Sequence, residues 1–158
     1  MKILVFSDSH GIVAGMKAAI GLYPEITYII HLGDGEADVA ALRRLYPSYT
    51  IEAVRGNCDV QKALPAELTV EAGGQRIFAT HGNCYGVKYG LDSLVAEGIQ
   101  QKAGVILFGH THRPLIERRD GILIVNPGSI AGPYCAPRAT YAVLTLTDSR
   151  VSAEGFVL

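Results

Sequence analysis

The stretch VILFGHTH, residues 105–112, joins four apolar residues to a glycine and two histidines that are two residues apart. The apolar run predicts a buried strand, and the glycine permits a sharp turn at its carboxyl end. Imidazoles presented by such a turn are common metal ligands. The segment Gly109-His110-Thr111-His112 therefore predicts a metal-binding loop, whereas a single buried histidine is more often structural.

Polar residues of ligand type follow several other apolar runs. They are Asp8 and His10, Asp34 after Gly33, Asn57 after Gly56, and His81. Because residues two apart in an extended loop point the same way, Asp8 and His10 can hold one ion. Carboxylates, an amide and imidazoles favour a hard or borderline metal, and burying them together is costly without cations. The series predicts a centre with more than one metal.

Each motif has a structural alternative when it is considered alone. Asp8 can cap the helix that follows it. Gly33-Asp34 and Gly56-Asn57 can be simple turns, in which aspartate and asparagine are common. The metal hypothesis depends on the whole set and not on any single member.

Residues beside the candidate ligands are given supporting roles. His31 lies inside an apolar run and is interpreted as a packed or supporting histidine. Glu36 and Asp38 are interpreted as helix-start charges. Cys58 has no second cysteine nearby and is interpreted as a non-ligand. Asp59 either caps the next segment or orients the Asn57 amide.

The composition restricts the function classes open to the chain. The 158 residues carry a net charge of −1, so broad nucleic-acid or membrane-surface binding is not expected. Three cysteines without regular spacing predict no disulfide framework and a reducing cytoplasm. No apolar run approaches the ~20 residues of a membrane span, and Ser7 and Asp8 interrupt the first run too early for a signal peptide. We expect a cytoplasmic protein with one domain over residues 1–158.

Hydrophobic periodicity predicts alternating strands and helices in the first half of the chain. Strands are predicted at 2–7, 27–32 and 50–54, and helices at 12–22 and 37–46. This alternation is typical of a parallel sheet.

The second half is predicted to be mainly antiparallel. Gly73-Gly74 and Asp120-Gly121 each separate two apolar runs and predict hairpins, and a turn at 147–149 predicts a third. A helix is predicted at 91–102 and a strand at 104–108. Two sheets packed face to face, with helices outside, would bury these strands on both sides.

The ordered series of motifs closely resembles the calcineurin-like metallophosphoesterase superfamily. It runs as Asp8-x-His10, Gly33-Asp34, Gly56-Asn57, His81 and Gly109-His110-x-His112. The chain length is similar to that of the small single-domain phosphodiesterase branch. The resemblance implies an α/β fold, a four-layer α/β/β/α sandwich of two mixed sheets flanked by helices, with a dinuclear metal centre.

The resemblance also implies an assignment of the ligands. Asp8, His10 and His112 hold one metal, Asn57, His81 and His110 hold the other, and Asp34 bridges the two. Asp34, Asn57 and His81 are the expected catalytic residues, since the amide and the imidazole also help to position phosphate. The expected cofactors are two divalent ions, with manganese favoured over iron, zinc, cobalt or nickel.

The activity implied by the resemblance is hydrolysis of a small or nucleotide-like phosphodiester. Two cations about 3.5–4 Å apart share a hydroxide that attacks phosphorus in line. The alternatives are a phosphomonoesterase, a pyrophosphate-cleaving hydrolase, or a protein-interaction scaffold, because a retromer subunit resembles the same superfamily. The presence of all seven ligand positions favours an enzyme. Polymeric nucleic acid and membranes are not expected partners, and homo-oligomerisation stays open.

One position departs from many members of the superfamily. Cys58 follows the Gly-Asn pair where they carry histidine, although the small phosphodiesterase branch also has cysteine there. A thiol is a poor acid near neutral pH. We therefore expect leaving groups of low basicity, or protonation by water or His31, and a preference for diesters over dianionic monoesters.

Two further sets of residues are given lesser roles. The segment NPGS, residues 126–129, resembles a loop of this branch and is interpreted as structural support. Tyr85, Lys88, Tyr134 and Arg138 are candidate contacts to the rest of the substrate, but we interpret them as ordinary surface.

Overall fold

The computed structural model describes residues 1–147 and 150–158. Within these residues the strands are β1 (Lys2–Phe6), β2 (Tyr28–His31), β3 (Thr50–Ala53), β4 (Glu67–Ala72), β5 (Gln75–Thr80), β6 (Val105–Leu107), β7 (Leu115–Arg119), β8 (Ile122–Asn126), β9 (Thr140–Thr147) and β10 (Arg150–Val157). The α-helices are α1 (Val13–Leu22), α2 (Glu36–Leu45) and α3 (Asp92–Gln100), and short 3-10 helices cover Asn83–Tyr85 and Gly132–Tyr134. The predicted elements are all found, with ends that move by one or two residues.

The first sheet has the strand order β10-β9-β1-β2-β3. β1, β2 and β3 are parallel, as expected for strands joined through the crossover helices α1 and α2. β9 pairs with β1 in the antiparallel sense, and β10 pairs with β9. The last hairpin is therefore confirmed, although residues 148 and 149 of its predicted turn lie outside the described residues.

The second sheet has the order β4-β5-β6-β8-β7. Its three central strands are parallel, and hairpins add β4 and β7 at the edges. The two predicted hairpin turns, Gly73-Gly74 and Asp120-Gly121, have positive φ at both central residues, as a type I′ turn requires. The second half is thus mixed, and less antiparallel than its sequence pattern predicted.

Strand alternation assigns the apolar residues to three layers of core. Ile3 and Val5 of β1 face the second sheet, whereas Leu4 and Phe6 pack beneath the helices α1 and α2. On the second sheet, Phe78 faces α3. The predicted four-layer α/β/β/α sandwich is therefore confirmed. None of the helices in the described ranges is both long enough and apolar enough to cross a membrane.

The parallel strands position the candidate site. β1, β2 and β3 of one sheet and β5 and β6 of the other end at the same edge of the sandwich, where the loops with the candidate ligands begin. Ligands in α/β folds usually bind at the carboxyl ends of parallel strands.

Candidate metal centre

The first group of predicted ligands lies where the loops after β1 and β6 meet. His112 Nε2 is 3.0 Å from Asp8 Oδ1 and 3.4 Å from His10 Nε2. His10 Nε2 is in turn 3.8 Å from Asp8 Oδ1. His112, more than a hundred positions further along the chain, thus presents its donor atom to the same point as Asp8 and His10.

The second group forms beside it from the loops after β3, β5 and β6. His81 Nε2 is 3.1 Å from Asn57 Oδ1 and 3.2 Å from His110 Nδ1. The imidazole of His81 is almost fully buried, whereas Asn57 is exposed. This second group therefore has one exposed side, through which a substrate could approach.

Asp34 lies between the two groups. Its Oδ2 is 3.4 Å from His81 Nε2 and 3.9 Å from His10 Nε2. Its other oxygen, Oδ1, accepts a hydrogen bond of 2.7 Å from the Cys58 N–H. That bond fixes the carboxylate so that one oxygen faces both groups.

The donor atoms are spaced as the ligands of metal ions are. With metal–ligand distances of about 2.0–2.2 Å, adjacent ligands of one tetrahedral or octahedral ion lie about 3.0–3.5 Å apart. The close pairs within the two groups, at 3.0, 3.1, 3.2 and 3.4 Å, match this spacing. The donor set of nitrogen and oxygen atoms fits divalent transition metals.

Hydrogen bonds to backbone carbonyls fix the histidine tautomers. His81 Nδ1 donates to Leu32 O at 2.7 Å, and His112 Nδ1 donates to Cys135 O at 3.1 Å. In the neutral rings Nε2 is then an acceptor, and in both cases it faces a carboxylate oxygen. Acceptors that face acceptors in a buried site need a proton or a metal cation between them.

The ligand loops have unusual backbone geometry. Five candidate ligands have positive φ, between 45° and 66°: Asp8, His10, Asp34, His110 and His112. Residues other than glycine rarely adopt this left-handed region, and such conformations concentrate at functional sites. The backbone is therefore strained at the residues whose side chains point toward the two groups of candidate ligands.

Asp8 is held with one carboxylate oxygen toward the first group, and it does not cap a helix. Its Oδ2 accepts hydrogen bonds from Ser7 Oγ at 2.5 Å and from the His110 N–H at 3.1 Å, which leaves Oδ1 for the first group. The N-cap of α1 is Ile12, and no side chain of residues 1–147 or 150–158 caps that helix. The capping alternative for Asp8 is therefore wrong.

Two acidic residues beside the ligands have larger structural roles than the sequence indicated. The Asp59 carboxylate accepts from four backbone N–H groups, those of Asp34, Gly35, Glu36 and Gly56. Asp38 accepts from Ser9 Oγ at 2.6 Å and from the Gly11 N–H at 2.8 Å. They tie the loops after β1, β2 and β3 together, so Asp38 does more than provide a helix-start charge.

Residues 126–129 support the loop that carries His110 and His112. The Asn126 amide donates to Gly109 O at 2.9 Å and to Thr111 Oγ1 at 3.1 Å. Ser129 Oγ donates to the Asp8 carbonyl at 2.8 Å. These contacts agree with the interpretation of the segment as structural support.

Glycines permit the close approach of the ligand loops. A Cβ on Gly56 would collide with Asp34 Oδ1 and lie 2.5 Å from the Asp34 N. A Cβ on Gly109 would collide with Ser7 Oγ and lie 2.9 Å from Asp8 Oδ2. The Gly-Asn and Gly-His motifs therefore need glycine because of their neighbours.

Opposing effects set the pKa values of the two carboxylates. Burial raises the pKa of Asp8, but its hydrogen bond with His112 and the charge of His81 bring it below the usual value. Burial also raises the pKa of Asp34, yet His81 and the Cys58 N–H hold it well below its usual range. Both groups are therefore ionised at neutral pH, as metal ligands must be.

The imidazoles differ in their affinity for protons. Burial lowers the pKa of His81, but the nearby carboxylates outweigh burial and raise it above the ordinary value. The hydrogen bond to Asp8 raises the pKa of His112. Burial lowers the pKa of His110, and the charges of His81 and Lys88 lower it further. Metal ions therefore compete with protons at His81 and His112.

His31 forms part of a buried chain of hydrogen bonds beneath the ligand loops. The Gly33 N–H donates to His31 Nδ1 at 3.3 Å, so His31 Nε2 donates to Ser9 Oγ at 3.0 Å, and Ser9 donates to Asp38. The ring has no exposed surface, and burial lowers its pKa to about 4. His31 is therefore a supporting histidine, and it cannot reach a leaving group to protonate it.

The free energy of unfolding is expected to decrease as the pH is lowered from about 6.5 to about 4, because His31 titrates in this range. The unfolded chain binds this proton below the ordinary histidine pKa, whereas the folded protein excludes it until about pH 4. The unfolded state holds more protons in this window, so stability rises with pH and is lost as pH falls. The full effect of this one group is about 3 kcal/mol. Urea unfolding of metal-free wild type and His31→Gln should give a flatter pH profile for the variant, and equal slopes would contradict the prediction.

The candidate substrate contacts fall in different environments. Tyr85 donates to Glu67 Oε1 at 2.5 Å, and Tyr134 is 78% exposed. Arg138 is exposed too. Lys88 is also exposed, but it lines a groove next to the loop that carries the histidine pair.

Known proteins resemble this chain over nearly its whole length. The chain is 36% identical over 156 residues to the probable metallophosphoesterase YsnB of Bacillus subtilis, covering 98% of this chain and 89% of that protein. It is 30% identical over 185 residues to the phosphodiesterase YfcE of Escherichia coli, covering 98% of this chain and 97% of the relative. The structure of Vps29 from Entamoeba histolytica complexed with zinc has the same fold, with a TM-score of 0.81 and 22% identity over 100% of this chain and 93% of that one.

The family model of the calcineurin-like phosphoesterase superfamily domain matches residues 1–149. That range includes every candidate ligand, from Asp8 to His112. The resemblance seen in the motifs is thereby confirmed, and the chain belongs to the calcineurin-like phosphoesterase superfamily.

Proposed function

We propose that the protein is a metal-dependent phosphodiesterase that hydrolyses a small or nucleotide-like phosphodiester. The observation that carries the proposal is the convergence of seven nitrogen and oxygen ligands at the carboxyl ends of strands from both sheets. The names of two relatives, the phosphodiesterase YfcE and the probable metallophosphoesterase YsnB, support the reaction class. Membership of the superfamily supports a requirement for divalent metal.

The seven residues divide into two ligand sets. Asp8, His10 and His112 form one, Asn57, His81 and His110 form the other, and Asp34 belongs to both. When bound, two divalent ions supply positive charge to the phosphoryl oxygens and lower the pKa of water. Manganese is the proposed ion, with iron, zinc, cobalt and nickel as alternatives that the same donor set accepts.

The chain's own residues supply orientation and charge. Asp34 stays ionised and is fixed by the Cys58 N–H, so its free oxygen keeps one position. The exposed Asn57 amide, next to His81, can donate to a phosphoryl oxygen. Burial and the charge of Asp34 raise the pKa of the Cys58 thiol to about 11, so it is a weak acid. A leaving group of low basicity, or water as the proton source, suits such a site.

Hydrolysis of two chromogenic esters tests the proposal. Metal-stripped protein resupplied with Mn²⁺ is given bis(p-nitrophenyl) phosphate or p-nitrophenyl phosphate, with and without chelator. We expect metal-dependent turnover that favours the diester. Faster turnover of the monoester would support the phosphomonoesterase alternative instead. Failure to turn over either ester, with two metals bound per chain, would contradict the proposal.

Replacing Cys58 by histidine is expected to raise monoester hydrolysis relative to diester hydrolysis. An imidazolium at this position offers the acid and the positive charge that a dianionic monoester needs more than a diester does. We expect the ratio of the two kcat/KM values to shift by about tenfold toward the monoester. Cys84→His, at another exposed cysteine, is the matched control. An unchanged ratio in Cys58→His would show that Cys58 does not determine the preference for diesters over monoesters.

A protein-interaction scaffold is the second candidate, because Vps29 shares the fold and a fold does not by itself determine function. The complete ligand set argues against a scaffold without catalysis, since a scaffold needs no such set. Turnover is the measurement that separates the two candidates, because a scaffold that kept the ligands would bind metal without hydrolysing an ester. Metal-dependent hydrolysis by the purified protein, without any partner, would support the enzyme and not the scaffold.

A further inference from the structure

A groove of about 520 Å³ runs beside the metal centre. It shares a wall with the centre, because Thr111 lines the groove and lies between His110 and His112 in the chain. Thr111 is fixed by hydrogen bonds from Asn126 and from the Arg113 N–H. The volume is in the range of small-molecule binding sites, which are usually preformed.

The groove has an apolar floor. Val87, Leu91 and Phe108 are at most 7% exposed, and Leu115 packs against the same cluster from the edge strand β7. Such a floor favours a flat apolar body, for example an aromatic ring. A substrate with only small polar substituents would leave this surface in contact with water.

The rim of the groove carries two positive charges. Lys88 and Arg113 both line it, and neither forms an ion pair within the described part of the chain. No carboxylate lies among the described lining residues. A lysine and an arginine together match the charge of a phosphate, and the guanidinium can bind it through two parallel hydrogen bonds.

We propose that this groove binds one substituent of the diester, and that this substituent has an aromatic body and a second phosphate, as a nucleotide does. The inference rests on the proposed phosphodiesterase function and specifies its substrate class. The scissile phosphate lies at the metal centre, the ring lies on the apolar floor, and the second phosphate lies between Lys88 and Arg113.

Two esters with the same leaving group test the proposal. They are the p-nitrophenyl ester of thymidine 5′-phosphate and the same compound with an added 3′-phosphate. Wild type supplied with Mn²⁺ is expected to show a kcat/KM about tenfold higher for the bisphosphate. Lys88→Ala and Arg113→Ala should each reduce that ratio by about threefold, and the double variant should bring it near one. High salt should also reduce it, since both cations are exposed.

Lys17→Ala is the matched control, because Lys17 is an exposed cation on the helix α1. This helix packs on the first sheet, whereas the groove lies beside the second. The Lys17→Ala variant should leave the ratio unchanged. A wild-type ratio near one, or a ratio that survives both groove substitutions, would overturn the proposal. If bis(p-nitrophenyl) phosphate were still hydrolysed in that case, the proposed phosphodiesterase function would hold and only the groove proposal would fail.

A binding measurement separates the groove from the reaction. Calorimetric titration of thymidine 3′,5′-bisphosphate and of thymidine 5′-phosphate compares ligands with and without the second phosphate, and neither ligand carries the p-nitrophenyl leaving group. About tenfold tighter binding of the bisphosphate, lost in the double variant, supports the groove even if no ester is hydrolysed. Equal affinities overturn it.

Discussion

Asp34→Asn is expected to lose turnover of bis(p-nitrophenyl) phosphate by about 10³-fold or more, equivalent to about 4 kcal/mol of transition-state stabilisation. The aspartate Oδ2 faces ligands of both sets, at 3.4 Å from His81 Nε2 and 3.9 Å from His10 Nε2. An amide in its place removes the negative charge that both sets share. It can also present an NH₂ group toward the imidazole nitrogens. Steady-state kinetics with saturating Mn²⁺, together with metal analysis, measures the effect.

The matched control for this variant is Asp92→Asn. The Asp92 side chain is fully exposed and, among the residues that the structure describes, forms an ion pair only with Arg119 on the surface, so the same chemical change there should leave activity intact. Retention of both metals and of near-wild-type activity in Asp34→Asn would exclude the shared-ligand assignment. Circular dichroism shows whether the variant is folded.

Gly56→Ala is expected to reduce kcat/KM by about 100-fold and to destabilise the fold by about 1–3 kcal/mol. The added methyl group would meet Asp34 at both its carboxylate and its backbone nitrogen. Relief of this clash must move the loop after β2 or the loop after β3. Either movement displaces Asp34 from the point between the two ligand sets. Kinetics and urea unfolding measure the two effects separately.

Gly90→Ala provides the control for a glycine substitution. A Cβ at Gly90 would meet no atom of the described residues within 4 Å, and its backbone is not left-handed. This variant should keep both activity and stability. If Gly56→Ala behaved like it, the close approach of the two loops would not be needed for the site.

Local signals were sufficient to place the candidate ligands at strand ends and to predict most elements. Each ligand follows an apolar run and a short turn, so its position at a strand end could be predicted from neighbouring residues alone. The hairpins at Gly73-Gly74 and Asp120-Gly121 were predictable for the same reason, since their turns require residues that tolerate positive φ. The pattern of strands and helices predicted two packed sheets with helices outside, the resemblance implied the same four layers, and the structure and the family match agree with both.

Features that depend on distant pairing were not predictable. Nothing near β9 indicates that it lies beside β1, because that choice depends on how the two sheets close. The role of Asp59 depends on backbone groups more than twenty positions away, and an isolated aspartate gives no sign of them. The groove combines residues from the loop before α3 and from the loop before β7, so its apolar floor has no sequence pattern of its own.

Each ligand set takes residues from both sheets of the sandwich. Asp8 and His10 follow β1 of the first sheet, whereas His112 follows β6 of the second. The other set likewise joins Asn57, after β3, to His81 and His110. An ion held in either set would therefore cross-link the two sheets. It would bind the folded protein far more tightly than the unfolded chain, in which these residues are not brought together. Through mass action, metal at 100 times its dissociation constant would add about 2.7 kcal/mol to folding stability. The melting temperature of the protein would thus report the free metal concentration around it, independently of catalysis.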